Sequence, residues 1–149
     1  MGTGELSDAD LVWNRATQWD GPEPTAPGDR ALAALLRVDG QIMNGGLESA
    51  LEYLEPEDIV AAANGLAFFG RNDLADLLRG ALKIFPGGSP PRDEDARYDE
   101  LMALDDVASE RLEELDTEYN ETATSALLTD VFESRYHAHP EDFAPLEPS

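Results

Sequence analysis

With 149 residues, 42% of them hydrophobic, the chain has the length and apolar content for one domain with a sizeable core, which excludes bulk disorder. The lack of cysteine excludes disulfides, thiolate metal sites and thiol nucleophiles, and fits a reducing compartment. Ten basic against 32 acidic residues give a net charge of −22, which opposes direct binding to DNA, RNA or an anionic membrane and favours a cationic partner.

Helical spacing begins early. Ser7-Asp-Ala-Asp10 reads as a capping-box-like start, with Leu11, Val12, Ala16 and Trp19 on one apolar side. Residues 22–28, with three prolines, read as a connector. Asp29 is then expected to open a second helix, from Arg30 to about Met43, with Leu32, Leu35 and Leu36 at apolar positions. Asn44-Gly45-Gly46 follows and reads as a helix-to-helix corner, its two glycines free to take positive φ. A short helix over Leu47 to Leu54 comes next. Pro56 suits a first helical turn, and Ile59, Val60, Ala63, Leu66 and Ala67 keep the period as far as Gly70, a C-cap. Asn72 is expected to cap a helix whose stripe is Leu74, Leu77, Leu78, Ala81, Leu82 and Phe85. Residues 86–92 form a Pro/Gly loop.

The second half is the charged half. Residues 1–92 carry a net −7, and residues 93–149, with 18 acids and 3 bases, a net −15. Leu101, Leu104, Ala108, Leu112, Leu115 and Tyr119 recur every three or four residues as a narrow core seam, with a break near Asp105-Asp106. A last helix, about Thr122 to Ala138, is expected to bury Leu127, Leu128, Val131, Phe132 and Tyr136, and residues 139–149 form a tail. No segment has strand period. The reading is all-α, a bundle-like arrangement of about seven to eight helices in one domain spanning residues 1–149.

The chemistry inventory is thin. Both histidines, His137 and His139, sit at one helix end, where partial positive charge is favourable. Glu133 and His137 share a helix face, yet the repeated Glu-x-x-His pattern of di-iron bundles is missing. Asp93-Glu94-Asp95 lacks the glycine and ligand spacing of a calcium loop. No enzyme template is met, and no cofactor or metal is implied. Trp13, Phe68, Phe69, Phe85, Tyr98 and Tyr119 read as core or core-edge residues, with one of Phe68 and Phe69 turned outward because neighbours on a helix face different ways. No basic-then-apolar segment opens the chain, and no apolar run approaches the ~20 residues of a membrane span. The expectation is a cytoplasmic protein that is neither exported by that route nor inserted.

Asp39-Gly40 followed by Asn44-Gly45-Gly46 resembles the signature of the DNA-mimic-protein-like family of small acidic all-helical bacterial domains. Matching features follow in order: Leu66-Ala-Phe-Phe-Gly70, the helix Asp73–Leu82 with Phe85-Pro86, Leu115-Asp116 with Tyr119, and Tyr136 with His139. The resemblance covers about Ala31 to Phe143. It departs at Met43, where the family usually has a second Asn, and at Leu47 and Ser49, where it usually has an aromatic residue and Gln. The resemblance implies an all-helical fold and a role in occupying a DNA-binding protein.

The charge pattern points the same way. Acids three or four residues apart on a helix stand ~4.5–6 Å apart along its axis, and Asp99, Asp106, Glu110, Glu113, Glu114, Glu118 and Glu121 form such a ladder. DNA carries one charge per ~3.4 Å of axis along each strand. A second patch, Glu48, Glu52 and Glu55 with Glu57 and Asp58, is expected to extend the surface. The leading expectation is an acidic DNA mimic that occupies the basic surface of a DNA-binding protein and inhibits or regulates it. The alternative is an immunity-type or adaptor protein that neutralises one basic partner through apolar anchors such as Phe68 or Phe69. A homodimer would lengthen the acidic surface, and no residue specifies one.

Overall fold

The computed structural model describes residues 7–18 and 24–146. Among them are seven α-helices, a 3-10 turn at Pro140–Asp142 and no strand: α1 (Asp8–Thr17), α2 (Pro27–Tyr53), α3 (Pro56–Phe68), α4 (Asn72–Leu82), α5 (Glu94–Met102), α6 (Asp106–Thr122) and α7 (Ser125–Ala138). The expected all-α class holds. Ser7 caps α1 as anticipated: its Oγ accepts from Asp10 N, and the Asp10 carboxylate accepts from Ser7 N, both at 3.1 Å. Trp19 lies outside the described residues.

Several boundaries shift for local reasons. The connector expected over 22–28 stops at Ala26, because Pro27 stands at N1 of α2, where its fixed φ suits a helix and its missing N–H costs nothing. The expected corner is also tighter than a loop. α2 continues to Tyr53, and only Gly46 leaves helical geometry, at φ 84 and ψ 174. Gly46, not the pair of glycines, therefore makes the turn, in a region that side-chain-bearing residues avoid. Asn72 does not cap α4 but is its first residue; Arg71 holds the cap position and pairs instead with Asp73 at 2.7 Å. α7 begins at Ser125 rather than Thr122, since α6 runs on and Thr124 Oγ1 accepts from Leu127 N at 3.1 Å.

α2 is the axis of the core. α3 lies so close to it that a Cβ on Gly65 would stand 2.6 Å from the Ala31 carbonyl oxygen. α4 then lays Leu74, Leu77, Leu78, Ala81 and Leu82 into the same core. Leu101, Leu112, Leu115 and Tyr119 bring in α5 and α6 as buried residues, while Leu104 and Ala108 are half-buried. From α7, Leu128 and Phe132 are buried; Leu127, Val131 and Tyr136, expected inside, are only half-buried. Tyr98, expected at the core edge, is exposed. The tail wraps: Phe143 is buried edge-on to Phe132, and Ala144 N donates to Asp29 Oδ2 at 2.7 Å. Arg15 donates to the other Asp29 oxygen, also at 2.7 Å, so one buried carboxylate clasps α1, α2 and the tail.

Candidate functional site

The acids of α6 follow from how that helix is bound to the rest. Its core side is Leu112, Leu115 and Tyr119. At ~100° per residue, Asp106, Glu110, Glu113, Glu114, Glu118 and Glu121 fan across the opposite side, and all six are exposed. Glu110, Glu113, Glu114, Glu118 and Glu121 line one open surface hollow around Thr117. From Asp106 to Glu121 the helix rises roughly 22 Å, so its six outward carboxylates average ~4.5 Å of axis apart, against ~3.4 Å per phosphate along one DNA strand.

Two ties set the orientation of this face, and both come from residues of the sequence motifs. The Tyr119 hydroxyl donates to Asp39 Oδ1 at 2.9 Å, joining the last turn of α6 to α2. Burial pushes the Asp39 carboxyl above its ordinary range, partly offset by that hydrogen bond, and burial beside Asp39 pushes the Tyr119 phenol well up. The second tie is at the Gly46 turn. Leu47 N, freed by the non-helical residue before it, donates to Asp116 Oδ1 at 2.8 Å, and Asn120 steadies the same oxygen at 3.2 Å. Asp116 thus caps the second part of α2 from 69 residues away. The two ties place the Asn44-Gly45-Gly46 corner against α6, so that Glu48 and Glu113 border a single cleft. Gly40 and Asn44 are exposed, and nothing lies within 4 Å of a Cβ position on Gly40. A Cβ on Gly45 would meet Ser49 Oγ at 2.7 Å, the hydroxyl that Gln41 holds.

The remaining predicted acids are arranged differently. Asp99 is exposed on α5, and Glu55 is exposed at the start of α3 with a carboxylate oxygen 3.9 Å from Arg97. Glu52 is half-buried, its backbone carbonyl taken by Arg97 Nε at 3.0 Å. None of these three, nor Asp106, lines the hollow or the cleft.

Sequence reasoning missed the use of Arg97. Set among acids, it reads as a solvated counter-charge, yet its side chain is 1% exposed. Its guanidinium donates to the carbonyls of Glu52, Pro91 and Arg92 at 2.7–3.1 Å. It gathers the end of α2 and the loop before α5 into one junction. Arg111, the other base between residues 93 and 121, reaches only Glu114, at 3.5 Å. Among the described residues, no three His, Asp or Glu side chains are grouped to hold a metal ion, and no helix is long and apolar enough to cross a membrane.

The model of the DMP19-like protein family matches residues 24–136, from the residues ahead of α2 into the last turns of α7, with both ties included. The chain belongs to the DMP19-like family. This family takes its name from DNA mimic protein 19. Comparison with curated proteins and with solved structures gave no match.

Proposed function

We propose that this member of the DMP19-like family is an acidic DNA mimic, which binds the basic DNA-binding surface of a DNA-binding protein and inhibits or regulates it. The observation that carries this reading is the exposed carboxylate face of α6. Five of its acids border one hollow, and among the described residues only Glu114 of the five has an arginine within 4 Å. Like charges this close raise the free energy of the isolated protein, and a cationic cleft relieves that repulsion while recognising the face. The alternative of an immunity-type or adaptor protein rests on Phe68 or Phe69 as apolar anchors. Phe69 is buried, and the Arg135 guanidinium lies over the Phe68 ring at 4.2 Å, which weighs toward the electrostatic reading.

Affinity capture on immobilised protein tests it: a lysate is loaded at low salt and eluted with excess duplex DNA. Release of basic DNA-binding proteins by DNA, with affinities that drop as salt is added, is the expected result. A single partner that duplex DNA does not displace would overturn it.

A further inference from the structure

Away from α6, the Arg97 junction sets two tyrosine rings at the surface. Tyr53 follows Glu52 at the end of α2, and Tyr98 follows Arg97 on α5. The Arg97 Nε–Glu52 carbonyl bond, at 3.0 Å, brings together the two chain segments that carry these tyrosines. Both are exposed, 54% and 46%. Glu94 and Met102 lie one turn either side of Tyr98 on the same face of α5, and Met102 is 57% exposed. Chiefly the Glu52 carboxylate, with Glu94 adding, holds the Tyr53 phenol above its ordinary range. The core makes no demand for these aromatic faces, and a shorter polar residue would serve the helix as well.

Electron-rich rings beside carboxylates present two attractions to one kind of group. A guanidinium stacks flat on a phenol face and at the same time donates in parallel to a carboxylate, whereas an ammonium is a compact, strongly hydrated point charge. We propose that Tyr53 and Tyr98, with Glu52 and Glu94, form an arginine-selective clamp for an arginine-bearing segment of the cationic partner, whose aliphatic stem lies on Met102. The clamp rests on the reading that the partner is basic, and it adds a chemical preference that a carboxylate ladder alone lacks.

The test measures binding of fluorescein-labelled nona-arginine and nona-lysine by anisotropy, at matched low ionic strength. Wild-type protein is expected to bind nona-arginine about fivefold more tightly than nona-lysine. The double variant Tyr53→Ala/Tyr98→Ala should bring nona-arginine to the nona-lysine level and leave nona-lysine within about twofold. Tyr53→Phe/Tyr98→Phe should restore the preference, because the ring face is kept. Equal wild-type affinities, or a preference that survives the double alanine variant with its helical spectrum and melting temperature intact, would overturn the clamp. Neutralising the α6 acids separates the two ideas. If that weakens both peptides and keeps the arginine preference, clamp and acidic face both stand. If it leaves nona-lysine binding unchanged, the acidic-face reading fails while the clamp stands.

Discussion

The acids of α2–α4 and those of α6 are the same chemical groups put to opposite uses. In the first region most carboxylates are matched, among them Asp29 with Arg15, Asp58 with Arg37, Asp73 with Arg71 and Asp76 with Arg79, at 2.7–3.2 Å. Glu57 at the start of α3 likewise meets Arg92 at 2.8 Å. On α6, seven acids share the helix with Arg111 alone. Arg97, the other base between residues 93 and 121, is turned inward onto backbone carbonyls. Net charge alone does not separate these cases. What separates them is where the arginines point, and the fold turns Arg97 inward instead of toward a surface carboxylate.

The largest effect should come from undoing that diversion. Arg97→Met leaves three part-buried carbonyls without their donor and removes a buried guanidinium, and is expected to cost about 4 kcal/mol of stability, read by denaturant unfolding. A loss below about 1 kcal/mol, the range of an exposed pair, would show that Arg97 belongs with the surface arginines after all. Next, the quadruple variant Glu110→Gln, Glu113→Gln, Glu118→Gln and Glu121→Gln should weaken capture of a basic partner about 100-fold. Its counterpart, Asp58→Asn with Asp73→Asn and Asp76→Asn, should leave that affinity unchanged. Equal losses in the two sets would erase the contrast between matched and unmatched acids.

Gly46→Ala forces a side chain into φ 84 and should cost about 1–3 kcal/mol, with Asp116→Ala costing about 1 kcal/mol through loss of the cap. Salt sharpens the comparison further. Screening should raise the melting temperature of the wild type as NaCl is added, and raise that of the quadruple glutamine variant less. The smallest effect concerns Asp39. Its folded pKa is raised by burial, so the native state holds the proton more tightly than the unfolded chain. Its contribution is most favourable below the ordinary aspartate value of 3.8 and is lost as pH rises through the folded pKa. Asp39→Asn keeps an acceptor for Tyr119, and it should flatten that part of the stability curve without lowering stability at neutral pH.

Helix existence was readable because the core stripes are clean: Leu74, Leu77, Leu78, Ala81 and Leu82 on α4, and Leu112, Leu115 and Tyr119 on α6, are all buried. The outward face of α6 follows from the same arithmetic, since the acids occupy the positions the stripe leaves. Boundaries were less readable, because Pro27, which reads as part of the connector, serves a helix start equally well. Long-range ties were not readable at all. Asp116 looks like one more carboxylate of the ladder until Leu47 N is seen beside it, and Arg97 looks like a surface counter-ion until three carbonyls surround it. Periodicity reports which side of a helix is wet; it carries no information about partners dozens of residues away. The one hint was the joint occurrence of Asn44-Gly45-Gly46 and Leu115-Asp116 with Tyr119 in the family pattern.

Asp116 also divides α6 into positions that tolerate drift and one that does not. On the outward face an aspartate can replace a glutamate, or a carboxylate can move by a residue, and the field a partner feels changes little. At Asp116 the oxygen must stand 2.8 Å from Leu47 N, and the extra methylene of a glutamate displaces it. A saturation library ranked by stability should therefore be nearly level among polar residues at positions 110, 113, 114, 118 and 121, and should drop by about 1 kcal/mol for residues other than aspartate or asparagine at 116. Such a helix is free to be retuned toward new partners through its outer acids, while one inner acid keeps the corner it presents them on.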